Sequence, residues 1–290
     1  MTTKTFEIRA VTAPPITLIT ARQGWFDWRL DQLWRYRDLI SLFVWRDFIA
    51  TYKQTILGPA WHVLRPLITT LVFTLVFGTM AGLSTDGAPK FLFYMVGNIA
   101  WTYFSNALDG TSKTFVANAA LLGKVYFHRM VIPVSIVVSN LIAFAIQVLI
   151  LFIAMAYYRA TGAMFHVTQW AWFTPLLLLL LVGYSLGGGV VVSALTTRYR
   201  DLSHLVTFGL QLFMYLTPVI YPVSAVPAQV RWAVRLNPLT PIFEGLRLAF
   251  LGVGVATPSQ LAISSVGMLA TLGAGLLLLT RVERTFMDTV

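Results

Sequence analysis

The sequence has no cysteine and few charged residues. Of its 290 residues, 11% are charged and 57% are hydrophobic. The lack of cysteine excludes a disulfide framework and thiolate metal sites. A soluble domain carries about 25% charged residues, so this chain could not cover a water-facing surface. The composition therefore excludes a disordered chain, a nucleic-acid-binding module and a soluble enzyme, and it predicts an all-α polytopic membrane protein.

Sequence motifs for catalysis, ATP binding or metal binding are also scarce. A P-loop ATPase needs Gly-Lys followed by Ser or Thr, whereas the single Gly-Lys pair of this chain, at Gly123, is followed by Val125. Asp109 and Glu244 are the main acidic residues near membrane depth, which is few for a proton relay. The four histidines are widely separated and are interpreted as packed or interfacial side chains: His62, His128, His166 and His204. We therefore expect no catalysis, metal or cofactor on this chain.

Long stretches without charge predict the membrane spans. A span needs roughly 20 apolar residues, and six stretches satisfy that length: about 62–83, 91–112, 130–157, 170–195, 203–221 and 261–280. The segment between the last two, residues 223–250, is apolar but carries prolines and charges. Irregular backbone at membrane depth must be buried in protein or line a cavity. We therefore expect short helices that re-enter the membrane in this segment.

The basic residues predict the orientation. With six spans, 16 lysines and arginines lie on the side of the termini and five lie on the other side. Because basic residues concentrate in cytoplasmic loops, both termini are expected in the cytoplasm, with the chain in the cytoplasmic (inner) membrane. This distribution explains most of the net charge of +10 without a nucleic-acid partner.

An amphipathic interface helix is expected before the first span, at residues 29–57, after an N-terminal cytoplasmic segment at residues 1–28. Its apolar positions, at helical spacing, are Leu33, Tyr36, Ile40, Phe43 and Val44. A helix of this kind lies in the headgroup layer of a membrane. An alternative adds docking of its polar face to a cytoplasmic partner.

Five strings in separate segments carry a family resemblance. They are YKQTILGPAW at 52–61, NAALLGKVYFHR at 118–129, RYRD at 198–201, LTPVIYP at 216–222 and LNPLTPIFEGLR at 236–247. In this order and at these distances the chain resembles the permease subunits of type-2 ABC exporters for lipid-linked polysaccharide. That family moves O-antigen, capsular polysaccharide or teichoic acid. Two positions depart from its usual pattern, Gly123 and His128.

The resemblance implies an assembly and a role. It implies a homodimer of six-span subunits, formed by a transmembrane domain at residues 29–290, with two cytoplasmic ATPase subunits that bind ATP and Mg²⁺. The homodimer would export lipid-linked polysaccharide across the membrane. The alternative within transport is a type-2 ABC permease for a drug, peptide or simpler lipid. A membrane-embedded glycosyl- or acyltransferase would need a catalytic cluster, and a secondary transporter would favour inverted repeats; neither feature is evident in the sequence.

The segment 118–129 is the candidate contact with the ATPase. It lies on the basic side and mixes aromatic rings with positive charge, which suits a short helix pressed into a groove of a partner. A solvated loop beside the lipid headgroups is the simpler interpretation. With the RYRD string, the predicted coupling residues are Asn118, Lys124, Val125, Tyr126, Phe127, Arg129, Arg198, Arg200 and Asp201.

Aromatic residues in spans one, two and five are candidates for the conduit wall. Sugar rings present C–H faces that stack on aromatic rings, although most aromatics in membrane helices pack or lie at the interface. The predicted conduit residues are Trp61, Phe73, Phe77, Trp101, Tyr103, Phe104 and Tyr215. The second span also carries Asn98, Asn106 and Asp109, so it is expected to border the conduit or the dimer seam.

The segments around 216–222 and 236–247 form the candidate exit gate, which the resemblance places at the extracellular mouth. Prolines end the fifth span and mark the turn between two short helices. Glu244 and Arg247 are three residues apart on a helix and are expected to pair if buried. The predicted gate residues are Tyr221, Pro222, Asn237, Pro238, Glu244 and Arg247.

Overall fold

The computed structural model describes residues 30–53, 56–122, 124, 127–196 and 201–285. Within these ranges every regular element is helical and no strand occurs. The α-helices are α1 Leu30–Arg35, α2 Arg37–Tyr52, α3 Trp61–Phe73, α4 Lys90–Ser112, α5 Thr114–Ala117, α6 Ala119–Leu122, α7 Val131–Ala160, α8 Thr174–Thr196, α9 Leu202–Leu216, α10 Ala228–Leu236, α11 Thr240–Leu251 and α12 Pro258–Thr285. A π-helical stretch, Thr74–Met80, extends α3, and a 3₁₀ turn, Gln169–Phe173, precedes α8.

Four helices in the described part of the chain are long and apolar enough to cross a membrane. They are Trp61–Met80, Val131–Ala160, Gln169–Thr196 and Pro258–Arg281, and they match the predicted spans one, three, four and six. The all-helical class with membrane-length helices is therefore confirmed. α4 has 23 residues, about 34 Å at 1.5 Å per residue, but it is more polar. α9 has 15 residues. The two remaining predicted spans correspond to these helices, and the count of six stays a prediction.

The polar helix α4 lies at the centre of the subunit. It packs against α3, α7, α8, α9 and α11, and most of its side chains are buried. The Asn98 side-chain amide donates to the Pro66 carbonyl oxygen at 3.2 Å and to the Thr70 hydroxyl at 3.3 Å. Both partners belong to α3. A helix surrounded by protein needs less hydrophobicity than one facing lipid, because its polar groups find protein partners.

Small residues let α8 approach two neighbours closely. A Cβ atom on Gly187 would lie 2.8 Å from the backbone nitrogen of Leu272 in α12. A Cβ atom on Gly189 would lie 2.5 Å from the Thr111 Cβ atom in α4. Close backbone approach at small residues is a common way for membrane helices to associate. α8 therefore joins the central helix α4 to the C-terminal helix α12.

The interface helix is two helices, α1 and α2, which meet at Tyr36. Its predicted apolar face packs against the start of α7 and the segment before it, through Leu33, Tyr36, Ile40 and Phe43. Trp34 and Trp45 point outward and are exposed. A position in the headgroup layer stays a prediction, and residues 1–28 lie outside the described residues.

Two short helices, α10 and α11, follow α9, as the prolines of this segment predicted. A turn at residues 237–239 joins them, and α11 is almost entirely buried against α4 and α8. The re-entry of this pair into the membrane stays a prediction.

Candidate functional site

A buried ion pair lies in α11. The Arg247 Nη1 atom lies 3.2 Å from the Glu244 Oε1 atom, and the two side chains are 0% and 1% exposed. The predicted pairing of these two residues is confirmed. A buried charge is costly unless it is paired and hydrogen-bonded. The Arg247 Nε atom has no hydrogen-bond partner in the described subunit, but the Nη atoms and the Glu244 Oε2 atom have further partners.

Those partners come from three other segments. The Arg247 guanidinium donates to the carbonyl oxygens of Tyr221, at 3.2 Å, and Val219, at 2.5 Å, in the turn after α9. It also lies over the Phe93 ring of α4, with Cζ 3.8 Å from the ring centre. The Glu244 Oε2 atom accepts a hydrogen bond from the Val255 backbone N–H at 3.0 Å. The ion pair therefore joins α11 to α4, to the turn after α9 and to the loop before α12.

Gly97 makes this approach possible. A Cβ atom on Gly97 would lie 2.5 Å from the Val219 carbonyl oxygen and 3.1 Å from the Arg247 Nη2 atom. Any side chain there would push the turn and the guanidinium away from α4.

Asn237 holds the turn between α10 and α11. Its side-chain amide donates to the Thr217 hydroxyl at 2.9 Å and to the Leu216 carbonyl at 3.3 Å, while its oxygen accepts from the Leu239 N–H at 3.0 Å. The next carbonyl, of Pro238, accepts from the Ser264 hydroxyl of α12 at 2.7 Å. The Tyr221 hydroxyl donates to the Tyr215 carbonyl at 2.9 Å.

The six predicted gate residues are thus brought into one region, which we name the gate cluster: Tyr221, Pro222, Asn237, Pro238, Glu244 and Arg247. The sequence did not predict three residues that lie against this cluster, Phe93, Gly97 and Val219. Gly97 in the middle of a long helix was a usable signal, because glycine there weakens the helix unless close packing requires it. The Val219 carbonyl is a backbone group and gave no signal. The gating role itself stays a prediction.

The predicted conduit aromatics separate into two groups. Tyr103 and Phe104 are buried in the core, and the Tyr103 ring packs edge-on against Phe144 of α7 at 5.3 Å. Phe73 and Phe77 pack against each other and the core. Helix neighbours within the subunit enclose the Tyr103 and Phe104 rings, and the wall position of these two residues stays a prediction.

Trp101 and Tyr215 line a cavity of about 480 Å³ between α4 and α9, although Trp101 is itself only 7% exposed. Tyr215 is 56% exposed. At one end of this α4–α9 cavity, Asp109 accepts a hydrogen bond from the Thr207 hydroxyl at 2.8 Å and forms a salt bridge with Lys113 at 2.6 Å. Trp61, the remaining predicted ring, is exposed at the start of α3. Aromatic rings and polar groups are therefore combined along α4, as its sequence predicted.

The outer face of α9 is a stripe of exposed apolar side chains. No residue of α9 is buried, and the stripe consists of Leu205, Phe208, Leu212, Tyr215 and Leu216. The stripe adjoins the α4–α9 cavity through Phe208, Leu212 and Tyr215. Within the described subunit, this face of α9 has no covering helix.

The segment 118–129, the predicted contact with the ATPase, presents fewer side chains than expected. Phe127 is 5% exposed and packs edge-on against Phe43 of α2, with ring centres 6.0 Å apart. Phe127 therefore anchors the interface helix within the subunit, and its role at the ATPase contact stays a prediction. Lys124 is exposed and Arg129 is half-buried. The Asn118 amide donates to the Thr114 carbonyl at 2.9 Å.

Asp201, at the start of α9, is exposed. The other predicted coupling residues lie outside the described residues: Val125, Tyr126, Arg198 and Arg200.

One serine motif has the spacing of a hydrolase nucleophile elbow. Residues 183–187 read Gly-Tyr-Ser-Leu-Gly, the pattern that places a nucleophilic serine on a strand-to-helix turn. Here the string lies inside α8, and the buried Ser185 hydroxyl donates to the Val182 carbonyl at 3.0 Å. The motif is therefore part of a packed helix rather than a nucleophile elbow.

Comparison with known proteins decides the family. Residues 38–251 match the family described as ABC-2 type transporter. The chain belongs to the ABC-2 type transporter family. This membership agrees with the predicted resemblance and with a membrane-spanning transport subunit.

Several relatives of this ABC-2 chain are similar over most of their length. The O-antigen export system permease protein RfbA of Myxococcus xanthus is 30% identical over 222 residues, which cover 76% of this chain and 82% of the relative. A protein of the same description from Klebsiella pneumoniae is 27% identical and covers 74% and 80%. The polysialic acid transport protein KpsM of Escherichia coli is 23% identical and covers 86% and 95%.

Proposed function

We propose that this chain is the membrane-spanning permease subunit of an ATP-driven ABC transporter that exports lipid-linked polysaccharide of the O-antigen or capsule type. The observation that carries the proposal is its similarity, over most of their length, to permeases described as O-antigen and polysialic acid exporters. The subunit's own geometry supports it, since α4 combines aromatic and polar side chains beside an open cavity. Aromatic rings and scattered polar groups make weak, repeated contacts with sugars, which hold a polysaccharide chain loosely enough for it to move along the conduit.

Two copies of the chain form the transporter in this proposal. The stripe of α9 is the contact, because Phe208, Leu212 and Tyr215 of this face also line the α4–α9 cavity, and a second copy there would enclose the cavity within protein. The α4–α9 cavity then opens beside the seam, where Trp101 and Tyr215 face the sugar. Phe73, Phe77 and Trp61 lie on the α3 side of α4, where Trp61 lines a separate cavity, so their contact with the sugar stays a prediction.

The topology that we propose has six spans in the inner membrane, with α4 as the second and α9 as the fifth. Both termini lie in the cytoplasm, as the distribution of 16 basic residues against five favours. α10 and α11 re-enter the membrane from the outer side and form the exit gate. The buried Glu244–Arg247 pair supports this position, because a closed gate must hold its charges away from lipid.

Two cytoplasmic ATPase subunits, which bind ATP and Mg²⁺, contact the segment 118–129 and the start of α9. Exposed Lys124 and Asp201 carry charge to this surface, with Asn118 and Arg129 beside them. The undescribed Val125, Tyr126, Arg198 and Arg200 complete the proposed contact.

The function is tested by complementation. A strain that lacks its O-antigen or capsule permease, but keeps the matching ATPase and glycosyltransferases, receives this chain together with its own partner ATPase. We expect polysaccharide at the cell surface, and we expect none when the ATPase carries a substitution of its P-loop lysine. Intracellular polysaccharide without surface polysaccharide, at wild-type permease levels in the membrane, would contradict the proposal.

The topology has a separate test that uses the absence of cysteine. Single substitutions Ser84→Cys and Ala225→Cys, both at exposed positions, should react with an impermeant thiol reagent applied from outside. Thr5→Cys and Thr285→Cys should react only after the membrane is opened. Outside labelling of Thr285→Cys would overturn the six-span count.

A further inference from the structure

A second cavity, of about 600 Å³, lies on the other side of α4, between α2, α3 and α7. This α3–α7 cavity falls within the range of roughly 300–1,000 Å³ that is typical of small-molecule sites. Only Asn106 lines both it and the α4–α9 cavity. The proposed conduit does not use the remaining polar groups of its lining.

Those groups are mostly neutral and hydrogen-bonding. α4 supplies Thr102 and Asn106, and α7 supplies Ser139, Asn140 and Gln147. Asn140 and Gln147 are two helical turns apart, about 10 Å along the helix axis, so the polar lining extends well into α7. The Asn140 amide donates to the Ile136 carbonyl at 2.8 Å, but acyl chains that filled the cavity would leave the Gln147 amide oxygen without a donor, which is unfavourable.

Gln147 points to a specific occupant. Its side chain is 4% exposed, and its buried Oε1 atom has no hydrogen-bond partner. Buried polar atoms in folded proteins are almost always paired. The described subunit supplies no donor to this amide oxygen, so a bound molecule is expected to supply it. A hydroxyl group would be a suitable donor.

The rim of the cavity carries positive charge. Arg65, in the second turn of α3, is exposed, and its guanidinium lies 5.6 Å from the Trp61 ring centre. Asp47, the acidic residue of the lining, forms a salt bridge with Arg46 at 2.7 Å. The neighbouring acid is therefore already paired, and the Arg65 guanidinium group can form two parallel hydrogen bonds with a phosphate group.

We propose that the α3–α7 cavity binds the phosphate-bearing, hydroxylated headgroup of a lipid. Arg65 pairs with the phosphate, and the Gln147 amide oxygen accepts a hydrogen bond from a hydroxyl of the headgroup. The inference rests on the proposed topology, in which the start of α3 lies at the cytoplasmic surface of the membrane. Two sources share this chemistry, a membrane phospholipid such as phosphatidylglycerol and a polyprenyl diphosphate that carries sugar.

The test is lipid retention by the purified full-length chain, measured by native mass spectrometry after titration with one lipid at a time. The probes are phosphatidylglycerol, a sugar-bearing polyprenyl diphosphate and phosphatidylcholine, whose headgroup has phosphate but no hydroxyl. We expect phosphatidylglycerol or the polyprenyl diphosphate to be retained above phosphatidylcholine, and the preferred lipid identifies the source.

Two variants test the residues. Arg65→Gln and Gln147→Leu should each lower retention of the preferred lipid about tenfold, which corresponds to roughly 1.4 kcal/mol. Gln169→Leu is the matched control, because Gln169 is an exposed glutamine that does not line the cavity, and it should retain lipid like the wild type. Arg65→Gln, at the exposed rim, should fold normally even if Gln147→Leu does not.

Equal retention of all three lipids by the wild type would overturn the proposal, as would unchanged retention in Arg65→Gln. The measurement needs neither ATPase nor export. Surface polysaccharide in the complementation assay without selective lipid retention would therefore overturn this inference and leave the proposed function standing.

Discussion

The gate cluster and the segment 118–129 are held in place by very different means. In the gate cluster, one guanidinium contacts a carboxylate, two carbonyl oxygens and an aromatic ring, all enclosed by protein. In the described part of the segment 118–129, the one regular element is the four-residue helix α6, and Lys124 is exposed. Its deep contact is the packing of Phe127 on Phe43.

This difference indicates how each region responds when a side chain is removed. The gate cluster is a cross-linked unit whose parts must move together if they move at all, since separating the ion pair would strand a buried charge. The other segment packs on the interface helix and α7 through Leu121, Leu122 and Phe127 and leaves Lys124 exposed. Removing a charged group should therefore destabilise the fold in the gate cluster, whereas in the segment 118–129 it should weaken the contact with the partner.

Glu244→Ala should have the largest effect. It leaves Arg247 buried without its carboxylate, and the free energy of unfolding should fall by roughly 3–5 kcal/mol. Thermal unfolding of the purified protein measures this change. Asp38→Ala is the control, because it removes an exposed ion pair with Arg37 that contributes about 1 kcal/mol or less. Equal stability of the two variants would contradict the role of the buried pair.

Phe127→Ala should come next. It removes a buried ring that joins the interface helix to α7, which costs about 3 kcal/mol for a phenylalanine of this kind. Phe127→Leu, which keeps most of the volume, should restore much of the stability. If both variants unfolded like the wild type, Phe127 would not be the anchor of this region.

Gly97→Ala should have an intermediate effect. The added methyl group meets the Val219 carbonyl at 2.5 Å, and overpacking of this kind costs about 1–3 kcal/mol. Gly209→Ala is the matched control in α9, where nothing lies within 4 Å of the new atom, and it should raise helix stability by about 0.5–1 kcal/mol. Opposite signs for the two substitutions in thermal unfolding are the expected outcome.

Lys124→Ala should have the smallest effect on folding. An exposed side chain changes the free energy of unfolding by no more than about 0.5 kcal/mol, but the amount of co-purified ATPase should fall. Lys90→Ala, at an exposed lysine on the opposite side of the proposed topology, should leave co-purification unchanged. If Lys124→Ala co-purified as much ATPase as the wild type, the segment 118–129 would be better interpreted as a solvated loop beside the headgroups.

The sequence predicted best what depends on local pattern. Charge-free stretches located the four membrane-length helices to within a few residues, because hydropathy reports exposure to lipid directly. The three-residue spacing of Glu244 and Arg247 predicted their pairing, since these positions share a helix face. Prolines 222, 227, 238 and 241 predicted the broken helices between α9 and α12.

What depends on tertiary packing could not be predicted in the same way. Tyr103 and Trp101 are two residues apart on one helix, yet one ring packs on α7 and the other lines a cavity beside α9. Which side faces a neighbour depends on where the other helices lie. Phe127 looked like a partner's anchor because its sequence neighbours are basic, but its contact is with Phe43, far away in the chain. The carbonyl oxygens that Arg247 uses carry no sequence signature.

The polarity of α4 has a consequence for the biosynthesis of the protein. If α4 is the second span, it carries Asn98, Asn106 and Asp109 into the bilayer and would be a poor candidate for insertion alone. Its Asn98 partners, Pro66 and Thr70, lie in α3, which leaves the ribosome earlier. We therefore expect α3 to wait at the insertion machinery until α4 arrives, so that the two helices enter the lipid as a pair. The order in which the chain is translated would then supply the polar helix with its first partner before it meets any lipid.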